Sequence, residues 1–127
     1  MHRSRLTALA IDVPEGVHRQ EADFWSGALG TGQREDVDGD PYVDLDRRIG
    51  GLEVFVQRIG DDAARYHVDI ETDDVDAEVA RLLALGASEV SRWLDCHVLR
   101  APGGHLLCVI PVHSDPELFA ERSRAWP

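Results

Sequence analysis

His67 is the residue in this sequence best suited by type to do chemistry near neutral pH, because imidazole ordinarily changes charge in that range. It stands in Tyr66-His67-Val68-Asp69-Ile70-Glu71-Thr72, where His67, Asp69 and Glu71 alternate with Tyr66, Val68 and Ile70. A histidine on such a face can orient a ligand or act as general acid or base, with a nearby carboxylate as its neighbour. It can equally serve as ordinary polar lining. Side chains two apart on a strand share a face but stand about 6.5 to 7 Å apart, so His67 and Asp69 do not by themselves form a hydrogen-bonded dyad. Cys108 brings a thiol that could act as a nucleophile if ionised, or pack as a small apolar residue. Glu53, Phe55 and Gln57 share one face of a second alternating run, Leu52 to Arg58.

These residues need elements to hold them. Leu6 to Val13 reads as a strand with Leu9, Ile11 and Val13 on one face and Ala8, Ala10 and Asp12 on the other, ended by Pro14. Glu15 to Leu29 places Val17, Phe24 and Ala28 on one side at helical spacing, with Trp25 and Leu29 adjoining, and Gly30 as the stop. Phe24 and Trp25 are therefore core candidates. Tyr42 to Leu45 and Leu52 to Arg58 read as two of the strands after the helix, in a first half read as β-α-β-β-β.

The second half repeats that order, and an internal repeat constrains the whole architecture. Tyr66 to Thr72 is its first strand. Asp73 or Asp74 caps a helix whose stripe is Val75, Val79, Leu82, Leu83 and Gly86, with acids and Arg81 outside. Strands follow at Ser88 to Leu94, Cys96 to Arg100 and Leu106 to Val112, the last after the turn Pro102-Gly103-Gly104. Ser114-Asp115-Pro116-Glu117 predicts a short C-terminal helix from about Pro116.

The predicted fold is thus α+β: two βαβββ modules, at about residues 5–60 and 64–113, forming a curved antiparallel or mixed sheet around a cleft, followed by a tail at 114–127. One helix covers only one face of each small sheet, so the other face needs a partner. The side chains opposite the helices are Ala8, Ala10, Asp12, Glu53, Phe55, Gln57, His67, Asp69, Glu71, Leu106, Cys108 and Ile110.

Length and charge narrow the function classes. With 127 residues and 43% hydrophobic content, the expectation is a single domain with one compact core. The formal charge of -11 disfavours a nucleic-acid backbone or an anionic membrane as partner, and reads as a means of keeping a small protein in solution or, alternatively, as selecting a cationic ligand. The densest acids are Glu35, Asp36, Asp38, Asp40, Asp44 and Asp46, read as a solvated loop or as an attractor for a cation. No apolar run approaches the roughly 18 residues that would cross a bilayer, and the N-terminus leads directly into a strand, so a cytoplasmic location is expected. Cys96 and Cys108 have no CxxC spacing and read as thiols.

Three stretches carry a family resemblance. The segment Ala22-Asp23-Phe24-Trp25-Ser26-Gly27-Ala28-Leu29-Gly30, the run from His67 through Leu82, and Ala101-Pro102-Gly103-Gly104-His105-Leu106-Leu107-Cys108-Val109 resemble the glyoxalase-like branch of the vicinal-oxygen-chelate superfamily, which includes bleomycin-resistance proteins. The resemblance covers Leu6 to Val112. It implies that the metal-ligand positions of the family fall on Ala8, near Phe55 (with Glu53 two residues away), on His67 and on Cys108. Alanine and phenylalanine supply no ligand, so neither a metal nor another cofactor is expected, the alternative being a three-ligand soft site of His67, Cys108 and Glu53.

The same resemblance brings His67 and Cys108 toward one another across the cleft, sets Trp93 near its mouth where it could contact a ligand, and implies a homodimer. His97 and His105 are read as solvent-facing, with His97 lining the cleft as the alternative. The sequence thus points to a small-molecule-binding protein, sequestering a cationic or aromatic compound with Glu53, Phe55, Gln57, His67, Asp69 and Trp93. The alternatives are a lyase or isomerase using His67, with Cys108 as a second catalytic candidate, and a structural module with a filled cleft.

Overall fold

A computed structural model describes residues 1–34, 42–45, 50–60 and 63–127. Among them are eight strands and three helices, with strands paired in both parallel and antiparallel senses, which is the α+β class expected. The chain divides into two compact units, one made of Ala8–His67 and the other of Met1–Thr7 with Val68–Pro127.

The Ala8–His67 unit holds the C-terminal half of β1 (His2–Val13), α1 (His18–Leu29), β2 (Tyr42–Asp44) and β3 (Glu53–Arg58). β1 and β3 run parallel, with Ala8 opposite Glu53, Ala10 opposite Phe55 and Asp12 opposite Gln57, and β2 lies antiparallel on β3. One face is apolar. Ile11, Val13, Val54 and Val56 form a core with Val43, Leu45 and Ala22, against which Leu9 and Trp25 pack. α1 ends where Gly30 adopts a left-handed conformation, φ 68°, that a residue with a Cβ takes up only at a cost. The helix presents Trp25 to the core but leaves Phe24 62% exposed, which corrects its assignment as a core residue. Adjacent helical residues point about 100° apart, and the narrow apolar stripe has room for only one of the pair.

The other unit contains the N-terminal half of β1, β4 (Arg65–Thr72) from Val68 onward, α2 (Val75–Ala84), β5 (Ser88–Trp93), β6 (Cys96–Arg100), β7 (Leu106–Pro111), α3 (Pro116–Arg122) and β8 (Arg124–Trp126). β4 runs parallel to β7, and β6 pairs antiparallel with both β7 and β5. Asp74 caps α2 by accepting from the Ala77 N–H at 3.0 Å. Val79 packs with Leu99, Leu107 and Val109, flanked by Val75, Leu82, Val68 and Ile70. Leu83, expected in that stripe, is 38% exposed.

Two strand ends were not anticipated: β1 begins at His2, and β8 adds a short antiparallel partner to it, with His2 opposite Trp126. Their meeting is tied by Glu78. This fully buried carboxylate accepts from His2 Nε2 at 2.6 Å, from Ser4 Oγ at 3.0 Å and from Arg81 through two nitrogens at 2.6 and 2.9 Å. The helix acids were all expected on the outside. Glu78 is instead drawn inward by the donors of β1.

Candidate functional site

The face of the Ala8–His67 unit opposite α1 collects most of the residues singled out by the sequence. The parallel register of β1 and β3 sets Asp12 beside Gln57, Ala10 beside Phe55 and Ala8 beside Glu53, and strand alternation turns all six side chains the same way. Ala8, Ala10 and Phe55 form a buried apolar floor.

His67 stands over this floor, its ring 6.4 Å from that of Phe55 in an edge-to-face arrangement. Its Nδ1 lies 2.5 Å from Asp12 Oδ2. An ionised carboxylate can only accept a hydrogen bond, so Nδ1 carries the proton and the lone pair of the neutral ring sits on Nε2. That is the arrangement of a histidine prepared to exchange a proton at Nε2, with the carboxylate fixing its tautomer and stabilising the imidazolium. Asp12 is 1% exposed, Arg65 Nε is 3.6 Å from the same Oδ2, and Oδ1 has no hydrogen-bond partner. Buried charge of this kind is costly unless paired, which binds His67 and Asp12 to one another.

The sequence placed Asp12 on the correct face but did not select it. Asp69, the neighbour considered for His67, is two residues further along β4 and is the register partner of Cys108 on β7. Asp69 is buried and Cys108 half-buried. Trp93 is on β5, separated from β7 by β6, and is 68% exposed. His97, expected to face solvent, is only 5% exposed, with Nδ1 3.4 Å from Glu89 Oε1 and without hydrogen-bond geometry. It lies in register with Val109 of β7 and shares the inward face with Leu99. Of the acidic run, Asp44 belongs to β2, while Glu35, Asp36, Asp38, Asp40 and Asp46 lie outside the described residues.

Comparison with known proteins follows the same lines. The family profile for the glyoxalase-like domain matches residues 8–110. The chain belongs to the glyoxalase-like domain family. No protein of curated function matches it by sequence. A hypothetical protein from Bacillus halodurans shares 12% identity at a TM-score of 0.58, over 88% of this chain and 96% of that one. Methylmalonyl-CoA epimerase from Mycobacterium tuberculosis shares 16% identity at a TM-score of 0.51, over 91% of each chain. A putative dioxygenase from Bacillus subtilis shares 16% at a TM-score of 0.53, over 87% of this chain but only 42% of its own. At these identities the likeness concerns the fold.

The ion that the family resemblance implies can be tested against the residues present. Two of its positions, Ala8 and Phe55, are 0% and 9% exposed and pack with Ala10 as hydrocarbon. A divalent ion needs about three protein ligands in fixed geometry. Ala8 and Phe55 offer an apolar floor in place of two of the family's ligands, so that ligand set is not reproduced here. Among the described residues no helix is long and apolar enough to cross a membrane.

Proposed function

We propose that this glyoxalase-like protein binds a small molecule over the Ala8, Ala10 and Phe55 floor and moves a proton on it, with His67 as general acid and base and Asp12 as its positioning residue. The observation that carries this reading is the 2.5 Å approach of His67 Nδ1 to a carboxylate that is 1% exposed. A histidine that merely lined a surface would gain nothing from a buried counter-charge costly to maintain. The reaction class is isomerisation or elimination at carbon, which needs a base and an acid at one centre and no ligand set from Ala8 or Phe55. The fold shared with an epimerase is compatible with that class. Glu53 and Gln57, half-buried on the same face, are the polar groups available to orient a substrate.

The test is hydrogen exchange at carbon. Metal-stripped protein in D2O is given a panel of 2-substituted carboxylic acids and thioesters, and loss of the Cα proton is followed by NMR. Exchange that disappears in both His67→Gln and Asp12→Asn supports the reading; exchange that survives both substitutions excludes His67 as the base.

A second reading, sequestration without chemistry, is favoured by the net charge of -11. It keeps Glu53, Phe55, Gln57 and His67, the expected ligand residues of the Ala8–His67 unit, and predicts binding with no exchange. The homodimer implied by the resemblance is compatible with β5, an edge strand whose six residues are all exposed, and sedimentation velocity decides it.

A further inference from the structure

On the α1 side of the Ala8–His67 unit, away from the floor beneath His67, three aromatic rings converge. Phe24 and Trp25 meet edge to face at 5.3 Å between centroids, and Trp25 meets Tyr66 in the same way at 6.4 Å. Trp25 packs against the core and its indole Nε1 donates to Glu21 Oε2 at 2.8 Å, which fixes the ring and holds a carboxylate beside it. Phe24 and Tyr66, by contrast, are 62% and 57% exposed. Together with Ile11, Asp12, Val13, Ala64 and Arg65, these residues line a cavity of about 310 Å³.

Exposing two large aromatic side chains beside an anchored third is an arrangement that core packing does not require. Aromatic ring faces are negative at their centres and attract a positive charge. The carboxylate of Glu21 and the net charge of -11 add to that potential. Arg65, the one cation on the rim among the described residues, has Asp12 Oδ2 3.6 Å from its Nε. We propose that this pocket is a binding site for an organic cation, a quaternary or tertiary ammonium group carried on a small aromatic or aliphatic body. Asp12 borders this cavity as well as pairing with His67, but the three rings and Glu21 take no part in that pair, so the proposal stands whether or not the proton-transfer reading holds.

Three probes that differ at one substituent test it: 3-(trimethylammonio)phenol, 3-tert-butylphenol and 3-hydroxybenzoate, titrated by calorimetry and by the Trp25 indole N–H shift. The cation is expected to bind at least about tenfold more tightly than its neutral isostere, and the anion more weakly still. Phe24→Leu retains apolar area without a ring face, and should weaken the cation about fivefold while leaving the neutral probe nearly unchanged. Tyr66→Leu should do the same, and Glu21→Gln should lower cation affinity alone. Both rings are largely exposed, so these variants are expected to fold. Equal affinity for the neutral isostere, preference for the anion through Arg65, a perturbation that misses the Trp25 indole, or no binding at millimolar concentration would each overturn the proposal. Since Phe24, Tyr66 and Glu21 are not part of the His67 and Asp12 pair, loss of cation binding in these variants with proton exchange intact separates the two sites.

Discussion

His67 and Asp12 are 55 residues apart in sequence and 2.5 Å apart in space, closer than any carboxylate on the histidine's own strand could come. Asp12→Asn keeps the shape but lets the amide present either a donor or an acceptor to Nδ1. The tautomer of His67 is then no longer dictated. Nitrogen-15 NMR of the wild type should show Nδ1 protonated with a downfield N–H, and that resonance should vanish in Asp12→Asn. Any proton-exchange activity should fall by about 10² to 10⁴. His67→Ala leaves the buried Asp12 carboxylate without its closest partner and should cost about 1 to 3 kcal/mol in a urea melt. A variant as stable as the wild type would show that the pair is not coupled in the folded protein.

Acid should weaken the fold through Glu71 and Glu78. Burial pushes the Glu71 carboxyl up, but hydrogen bonds from the Ser114 hydroxyl, from the backbone N–H groups of His113 and Ser114 and from Arg5 outweigh it, leaving it below the ordinary 4.5. Burial likewise pushes Glu78 up, and Arg81, His2 and Ser4 together bring it below 4.5. A carboxyl held lower in the folded than in the unfolded chain contributes stability that is fully present above the unfolded value and is lost as pH falls through the folded one. The melting temperature should therefore drop below about pH 4.5, and the drop should be shallower in Glu78→Gln, which has one less group to protonate. An identical acid slope in both proteins would remove Glu78 from this account.

The packed floor of the site makes a further prediction. Ala8 has no exposed surface, and Ala10 and Phe55 close over the same space. Ala8→His places an imidazole at the family's ligand position but must displace these neighbours, at a cost of about 1 to 3 kcal/mol. Phe55→Ala opens a cavity beneath His67 and should cost about 3 to 5 kcal/mol. Thermal melts decide both. If Ala8→His is neutral, the space beside it is larger than the burial of Ala8 implies.

What the sequence revealed and what it hid both follow from the range of the interactions. Alternation along β1 and β3 is local, so the face shared by Asp12, Glu53, Phe55 and Gln57 was legible, as was the stop at Gly30. The bond from His67 to Asp12 depends on where two distant strands come together, which no local pattern records. The same holds for Glu78. It lies three residues after Val75 and beside Val79, at the edge of the helical stripe, but only the arrival of His2 and Ser4 makes it an interior residue. β8 is three residues long, too short for any periodicity to show. Phe24 and Trp25 are adjacent and equally apolar, and only the register of α1 on its sheet decides which of them is buried.

Trp126 offers the last test, because it joins the end of the described chain to the Glu78 cluster by two routes. Its Nε1 donates to Ser4 Oγ at 2.8 Å, and the Arg81 guanidinium carbon lies 3.8 Å from its ring centroid. Both partners also donate to Glu78, so the indole helps hold the donors that keep that carboxylate paired. Trp126→Phe keeps a ring under Arg81 but loses the N–H, and should cost about 1 kcal/mol; Trp126→Ala loses both contacts and should cost about 2 to 3 kcal/mol. Because the routes converge on one group, Trp126→Ala and Glu78→Gln should not be additive. In a double-mutant cycle by urea denaturation the pair should destabilise by about 0.5 to 2 kcal/mol less than the sum of the single variants. Strict additivity would mean that the C-terminal strand is held by its backbone pairing to β1 alone.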